Sequence, residues 1–262
     1  MHGSRAAHSN TFDRIVALDL GKFNSVCCVY DPATHEHSFT SVQTTPAIIH
    51  ELLVKHQTAD PSQTLVVIET CDCAGWVHDL AIALGMNVAI ANPSNEAWRW
   101  TRVKRKTDRD DALKLARMAA RNELPTVHMP SPQQRQKRRL VHHRRSLVER
   151  RTQIKNGIRS IFSQQGLPLA RGTKQWTKAG IEELKTQARA IGACAIDDLW
   201  RGRLHVELQL FKTITAAIAR VDRKLDALGN EDERVTRLQS VPGVGPRLAE
   251  VVVAHLDDPH RF

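Results

Sequence analysis

The segment Ile15-Val16-Ala17-Leu18-Asp19-Leu20-Gly21-Lys22 (IVALDLGK) runs four apolar residues without interruption into an aspartate and a glycine turn. A short apolar run bounded by a turn signal reads as a strand buried on both faces, so Asp19 falls where that strand emerges. Leu65-Val66-Val67-Ile68 followed by Glu69 repeats the device. Between them, Ser25 to Tyr30 and about Ser38 to Val42 read as two further strands around a turn at Asp31-Pro32, which makes an antiparallel three-strand meander. A helix over about 46–55 precedes the Glu69 strand, and a helix over about 74–84 and a short strand over 88–91 follow it.

This alternation is the pattern of an α/β domain over residues 13–124, and its order resembles that of a ribonuclease H-like sheet. The next informative stretch is Lys106 to Ala120, KTDRDDALKLARMAA. Thr107 is a plausible N-cap, and Ala112, Leu115, Ala116 and Ala119 form one apolar stripe. Asp108 and Asp111, three residues apart, share one side of the first turn. Asp110 lies off that side and reads as a solvated residue. One aspartate at a helix start is ordinarily a partner of the helix dipole. Four carboxylates at two strand ends and one helix start, Asp19, Glu69, Asp108 and Asp111, instead match catalysis by two divalent ions. Hard cations take oxygen ligands, and each phosphate oxygen needs its own charge compensation. The expected metal is Mg²⁺, as two ions, with Mn²⁺ as the substitute.

A chain of 262 residues that is 41% hydrophobic can bury a core, and its net charge of +10 favours a polyanion such as DNA or RNA over a membrane surface. No apolar run approaches the roughly 20 residues of a spanning helix, and the start MHGSRAAHSN lacks a secretory signal. The expectation is a cytoplasmic protein with no membrane partner and a flexible tail over residues 1–12. Five cysteines, Cys27, Cys28, Cys71, Cys73 and Cys194, offer no paired C-x-x-C spacing and read as reduced thiols. Cys71, Cys73 and His78 are better explained by packing near a helix start than by metal binding.

After Pro93 a helix carrying Trp98 and Trp100 is expected, followed by the cations Arg102, Lys104, Arg105 and Lys106. Pro125, Pro130 and Pro132 mark a linker. From about Gln133 to Gln164, Leu140, Leu147, Ile154 and Ile161 recur every seven residues. A second helix over about 197–228 repeats this with Leu204, Leu208, Phe211, Ile214, Ile218, Val221, Leu225 and Leu228. The spacing argues a coiled coil over 133–230, folded back on itself or shared with another copy. Gly166, Pro168, Gly172 and Gly180 punctuate the connection. The first helix carries ten cations, among them Arg138, Arg139, Arg144, Arg145, Arg151 and Lys155, against the single acid Glu149. Charge runs are usually solvated faces, but so one-sided a helix repels itself, which a phosphate backbone relieves. Such contacts position a nucleic acid without reading its bases. Packing is the ordinary role of Trp98, Trp100, Trp176 and Trp200. Lys22 either touches a phosphate or lines its turn. The last block, 231–262, contains SVPGVGPRLAE, a helix-hairpin-helix signature. There Gly243, Gly245 and Arg247 would approach a phosphate at a helix N-terminus.

Together VALDLGK, VVIET, KRKTDRDDA, the basic helix and SVPGVGPRLAE are similar to the DEDD transposases of bacterial insertion sequences, also described as bridge-RNA-guided serine recombinases. The resemblance covers nearly the whole chain. It implies a RuvC-like N-terminal domain, a coiled-coil region for assembly and RNA contact, and the start of a C-terminal transposase domain. Asp19, Glu69, Asp108 and Asp111 match the metal tetrad. The implied partners are DNA, a structured guide RNA and further copies of the chain in a dimer or tetramer. The family's nucleophile is a C-terminal serine beyond the hairpin, next to a glycine. This chain stops at Phe262, before that point, and Ser240 reads as a cap, so the expectation is a truncated and catalytically incomplete chain. Two other readings stand beside it: a RuvC-type junction-resolving nuclease using water, and a non-catalytic nucleic-acid-binding fragment.

Overall fold

The structure, a computed structural model, describes residues 12–92, 94 and 107–261. The expected Trp98/Trp100 helix and the cations Arg102, Lys104, Arg105 and Lys106 lie outside the described residues, as does nearly all of the N-terminal tail. The chain divides into two compact units, residues 1–132 and 133–262.

The first unit is built on a mixed sheet of β1 (Arg14–Leu20), β2 (Asn24–Tyr30), β3 (His37–Gln43), β4 (Thr64–Glu69) and β5 (Asn87–Ala91), in the order β3-β2-β1-β4-β5. β2 is antiparallel to β1 and β3, whereas β4 is parallel to β1 and β5. Helices α1 (Pro46–His56) and α2 (Ala74–Ala83) make the crossovers. They cover one face, where Ile49, Leu53 and Val77 pack on Val16, Leu18, Val66 and Ile68. Helix α3 (Asp108–Ala120) covers the other, where Ala112, Leu115 and Ala116 pack on Ile15, Ala17, Leu65 and Val67. β1 and β4 are therefore buried on both sides, and this is why each is an unbroken apolar run rather than an alternating one. β3, at the sheet edge, has no fully buried residue. This α/β unit is compatible with a ribonuclease H-like fold.

The second unit is helical: α4 (Pro132–Gln164), α5 (Lys178–Gln187), α6 (Leu199–Asn230), α7 (Glu233–Gln239) and α8 (Pro246–Leu256). α4 and α6 run antiparallel within the chain. Val141, near the start of α4, packs with Leu225 near the end of α6, while Ile158 and Phe162 pack with Leu204 and Leu208 near its start. The connection between them holds more structure than its glycines suggest. Gln175, buried, accepts from the Ala170 N–H and donates to the Gly180 carbonyl, and α5 follows, capped by the Thr177 hydroxyl. Gly180 is required there, because a Cβ would stand 2.4 Å from the Gln175 carbonyl oxygen. Among the described residues no helix is long and apolar enough to cross a membrane. All five cysteines are free thiols, and burial pushes Cys27 up to about 12.

Candidate active site

Parallel pairing of β1 with β4 decides where the first two carboxylates go. Leu18 is opposite Ile68, so Asp19 and Glu69, each next along, lie side by side, separated by about the 4.8 Å between neighbouring strands. Side chains alternate along a strand. Ala17 and Val67 belong to the α3 face, and Leu18, Leu20 and Ile68 to the opposite one, so Asp19 and Glu69 project on the side that α3 covers. Both are half-buried.

The start of α3 is fixed by a capping box. The Thr107 hydroxyl accepts from the Asp110 N–H at 3.3 Å, and the Asp110 carboxylate accepts from the Thr107 N–H at 3.0 Å and its hydroxyl at 2.6 Å. These bonds hold the Asp110 carboxyl below the usual range. Asp110 is thus occupied in capping the start of the helix. Asp108 is exposed, and Asp111, one turn before the buried Leu115, is half-buried. α3 lies across β1, β2 and β4, and the Arg109 guanidinium stands 5.8 Å from the Phe39 ring centre on β3. Phe39 shares its rung with Cys28 and Ala17, so this contact sits two residues along from the Asp19 rung. α3 therefore lies over the sheet face on which Asp19 and Glu69 project. Among the described residues, no three His, Cys, Asp or Glu side chains are gathered closely enough to hold a metal. As a donor set, four carboxylates fit a hard divalent cation. Cys71 is exposed and Cys73 takes the N-cap position of α2 without a side-chain cap bond.

In the helical unit several of the expected DNA-binding cations are engaged internally. Arg138 donates to the Ala254 carbonyl at 2.5 Å and the His255 carbonyl at 2.8 Å, tying α4 to the end of α8. Arg144 pairs with Asp222 of α6 at 2.5 Å. Arg247 bonds Glu250 at 2.9 Å and also Asp226, with Asp222 at 3.7 Å. Lys155 stands 5.0 Å from the Trp176 ring centre and 5.8 Å from that of Phe211, and burial lowers its pKa. Arg139, Arg145, Arg150 and Arg159 are exposed, Arg145 beside Glu149 at 3.0 Å, and Arg151 is half-buried. Trp200 packs edge-on against Phe162. Between α7 and α8 the turn is open. Gly243 has φ of +86°, which favours glycine, Gly245 is the N-cap of α8, and a Cβ at either would meet nothing within 4 Å. The Ser240 hydroxyl donates to the Arg237 carbonyl at the end of α7. The sequence signals no α4–α6–α8 ionic network, because Arg144 and Asp222, which join α4 to α6, lie 78 residues apart.

The family model for the IS110-type DEDD transposases, described as Transposase, matches residues 16–166, more than half of the chain. The chain belongs to that family. The matched segment runs from β1 to the end of α4 and includes Asp19, Glu69, Asp108 and Asp111. The transposase for insertion sequence element IS1111A of Coxiella burnetii is 30% identical over 200 residues, covering 75% of this chain and 52% of its own length. A Pseudomonas aeruginosa protein described as a probable family 20 transposase is 30% identical over 249 residues, covering 94% of this chain and 69% of its own. The chain thus spans about half to two thirds of the length of these relatives.

Proposed function

We propose that this chain forms the metal-binding and nucleic-acid-gripping part of an insertion-sequence transposase that cuts and exchanges DNA strands. One observation carries the reading: in a member of the DEDD family, Asp19 and Glu69 end neighbouring parallel strands on the sheet face covered by the helix that opens with Asp108 and Asp111. These four residues would hold two Mg²⁺ ions, or Mn²⁺, which would polarise the scissile phosphate and offset the charge that develops on it.

The chain's own contribution is to place those oxygens. β1 and β4, buried on both faces, give Asp19 and Glu69 a rigid base, and the Thr107–Asp110 box caps the start of α3, where Asp108 and Asp111 share the first turn. The exposed cations Arg139, Arg145, Arg150 and Arg159 of α4 would follow a phosphate backbone, and Lys22 and the cations Arg102, Lys104, Arg105 and Lys106 would add to that contact. The open turn at Gly243–Gly245 would admit a phosphate in the manner of a helix-hairpin-helix. The long helices would serve in assembly of a dimer or tetramer and in contact with a structured guide RNA.

The test is strand cleavage by the purified chain with Mg²⁺, element-end DNA and RNA transcribed from the flanks of its gene, beside Asp19→Ala and Asp108→Ala chains. Metal-dependent cleavage lost in both variants supports the reading. Cleavage that survives both substitutions refutes it. Whether a covalent protein–DNA adduct accompanies cleavage separates recombination by a serine from hydrolysis by water.

A further inference from the structure

The turn between β1 and β2, at the strand end that carries Asp19, displays a large aromatic side chain that folding leaves outside. Phe23 is 74% exposed. Its turn is nevertheless tied down through Thr44. The Thr44 hydroxyl donates to the Gly21 carbonyl at 2.8 Å, the Thr44 N–H donates to the Phe23 carbonyl at 2.8 Å, and the Thr44 hydroxyl also contacts that of buried Ser25 at 2.7 Å. A Cβ at Gly21 would stand 2.2 Å from the Asn24 carbonyl oxygen, so only glycine closes this turn. The Lys22 ammonium lies 5.3 Å from the Phe23 ring centre. A rigid backbone thus presents an aromatic ring and a cation to solvent four residues beyond Asp19. That is the combination by which single-stranded nucleic acid is held: a π-face for a base and a charge for its phosphate.

We propose that Phe23 is a stacking platform for an unpaired nucleobase of a strand led to the Asp19–Glu69 edge, with Lys22 contacting the adjoining phosphate. The inference rests on the nucleic-acid reading above and adds to it a binding residue and a preference for unpaired over duplex DNA near the site. Stacking is indifferent to base identity, so Phe23 positions the strand without reading its sequence.

The test uses the full chain and a single-stranded oligonucleotide bearing 2-aminopurine, with the same sequence as a duplex for comparison. Phe23→Ala and Phe23→Leu are expected to abolish the stacking-induced fluorescence change. They should weaken single-strand binding on the order of 5- to 150-fold while leaving duplex binding unchanged. Phe23→Trp should keep both the signal and the affinity. The proposal is overturned if Phe23→Ala binds the single strand as well as the native chain, if Phe23→Leu matches Phe23→Trp, or if Phe23→Ala changes only self-association in sedimentation. The last result would assign the ring to a second copy. Mn²⁺ binding, measured in parallel, separates the two readings. In the native chain, Mn²⁺ binding without a stacking signal refutes the stacking alone, and a stacking signal without Mn²⁺ binding refutes the metal site alone. A native chain that binds neither oligonucleotide overturns both the stacking and the nucleic-acid reading on which it rests.

Discussion

Replacing Arg247 by alanine should destabilise the helical unit through the carboxylate it leaves behind. Glu250 is 7% exposed, and burial, the largest influence on it, already raises its pKa despite the neighbouring Arg247. Arg247 donates to it at 2.9 Å and also holds Asp226, so its loss leaves a buried charge without its nearest compensation. Breaking a fully buried pair costs about 3–5 kcal/mol. The Arg247 side chain is 26% exposed, so water replaces part of the interaction and about 2 kcal/mol is the expected loss. In a chain of this size that corresponds to a melting temperature lower by roughly 4–8 °C. The sign of the pH dependence follows from the raised pKa. The folded state holds a proton on Glu250 where the unfolded state has released it, so stability falls as pH rises through that range. Removing Arg247 raises the pKa further. The deficit should therefore be full at neutral pH and shrink on acidification, and Glu250→Gln in the same chain should recover most of it. The assay is urea unfolding of the four chains in the double-mutant cycle at two pH values. An Arg247→Ala chain as stable as the native one, or a deficit unchanged by Glu250→Gln, refutes the reasoning.

Other perturbations follow from the same geometry. Leu115→Ala, at a fully buried position of α3, should cost about 2–5 kcal/mol by thermal unfolding and should also weaken Mn²⁺ binding, because the helix that carries Asp111 loses its seat. Asp232 caps α7 and pairs with Arg234 and with Lys137 of α4, which hold its carboxyl well below the usual range. Asp232→Ala should cost about 1–2 kcal/mol at neutral pH, and in chemical unfolding the difference should disappear as pH falls below about 4 toward the depressed pKa. Thr107→Ala removes one half of the capping box and should cost about 1 kcal/mol, leaving the α3 stripe packed but its first turn frayed, as hydrogen exchange would report. Nucleic-acid affinity should fall steeply with salt, with a logarithmic slope of about −3 or steeper if three or four of the exposed α4 cations meet phosphates. A flat salt dependence would remove α4 from the interface.

The carboxylate ends of β1 and β4 and the start of α3 were legible in the sequence because each is a local signal. Unbroken apolar runs stop at Asp19 and Glu69, and Thr107 precedes a 3.6-residue stripe. The strand order was not legible residue by residue, since nothing in β1 alone says that it lies between β2 and β4. The run of cations in α4 was legible as charge, but the engagement of Arg138, Arg144 and Arg247 depends on Ala254, Asp222, Asp226 and Glu250, which only folding brings near. The same holds for the segment before α6. Its glycines and proline punctuate the connection, but nothing in them signals that buried Gln175 and the close approach at Gly180 organise it and that α5 follows. The exposure of Phe23 is not legible in the sequence, because an aromatic in a strand-rich stretch looks like core until the turn is seen to face solvent.

The central claim is that Asp19, Glu69, Asp108 and Asp111 act together on divalent metal. Anomalous diffraction from crystals of the chain grown with Mn²⁺ tests it most directly. The account predicts Mn²⁺ peaks on the α3 face of the sheet, between the ends of β1 and β4 and the first turn of α3, that disappear in the Asp19→Ala chain. Bound manganese elsewhere, with none among these carboxylates, would contradict it.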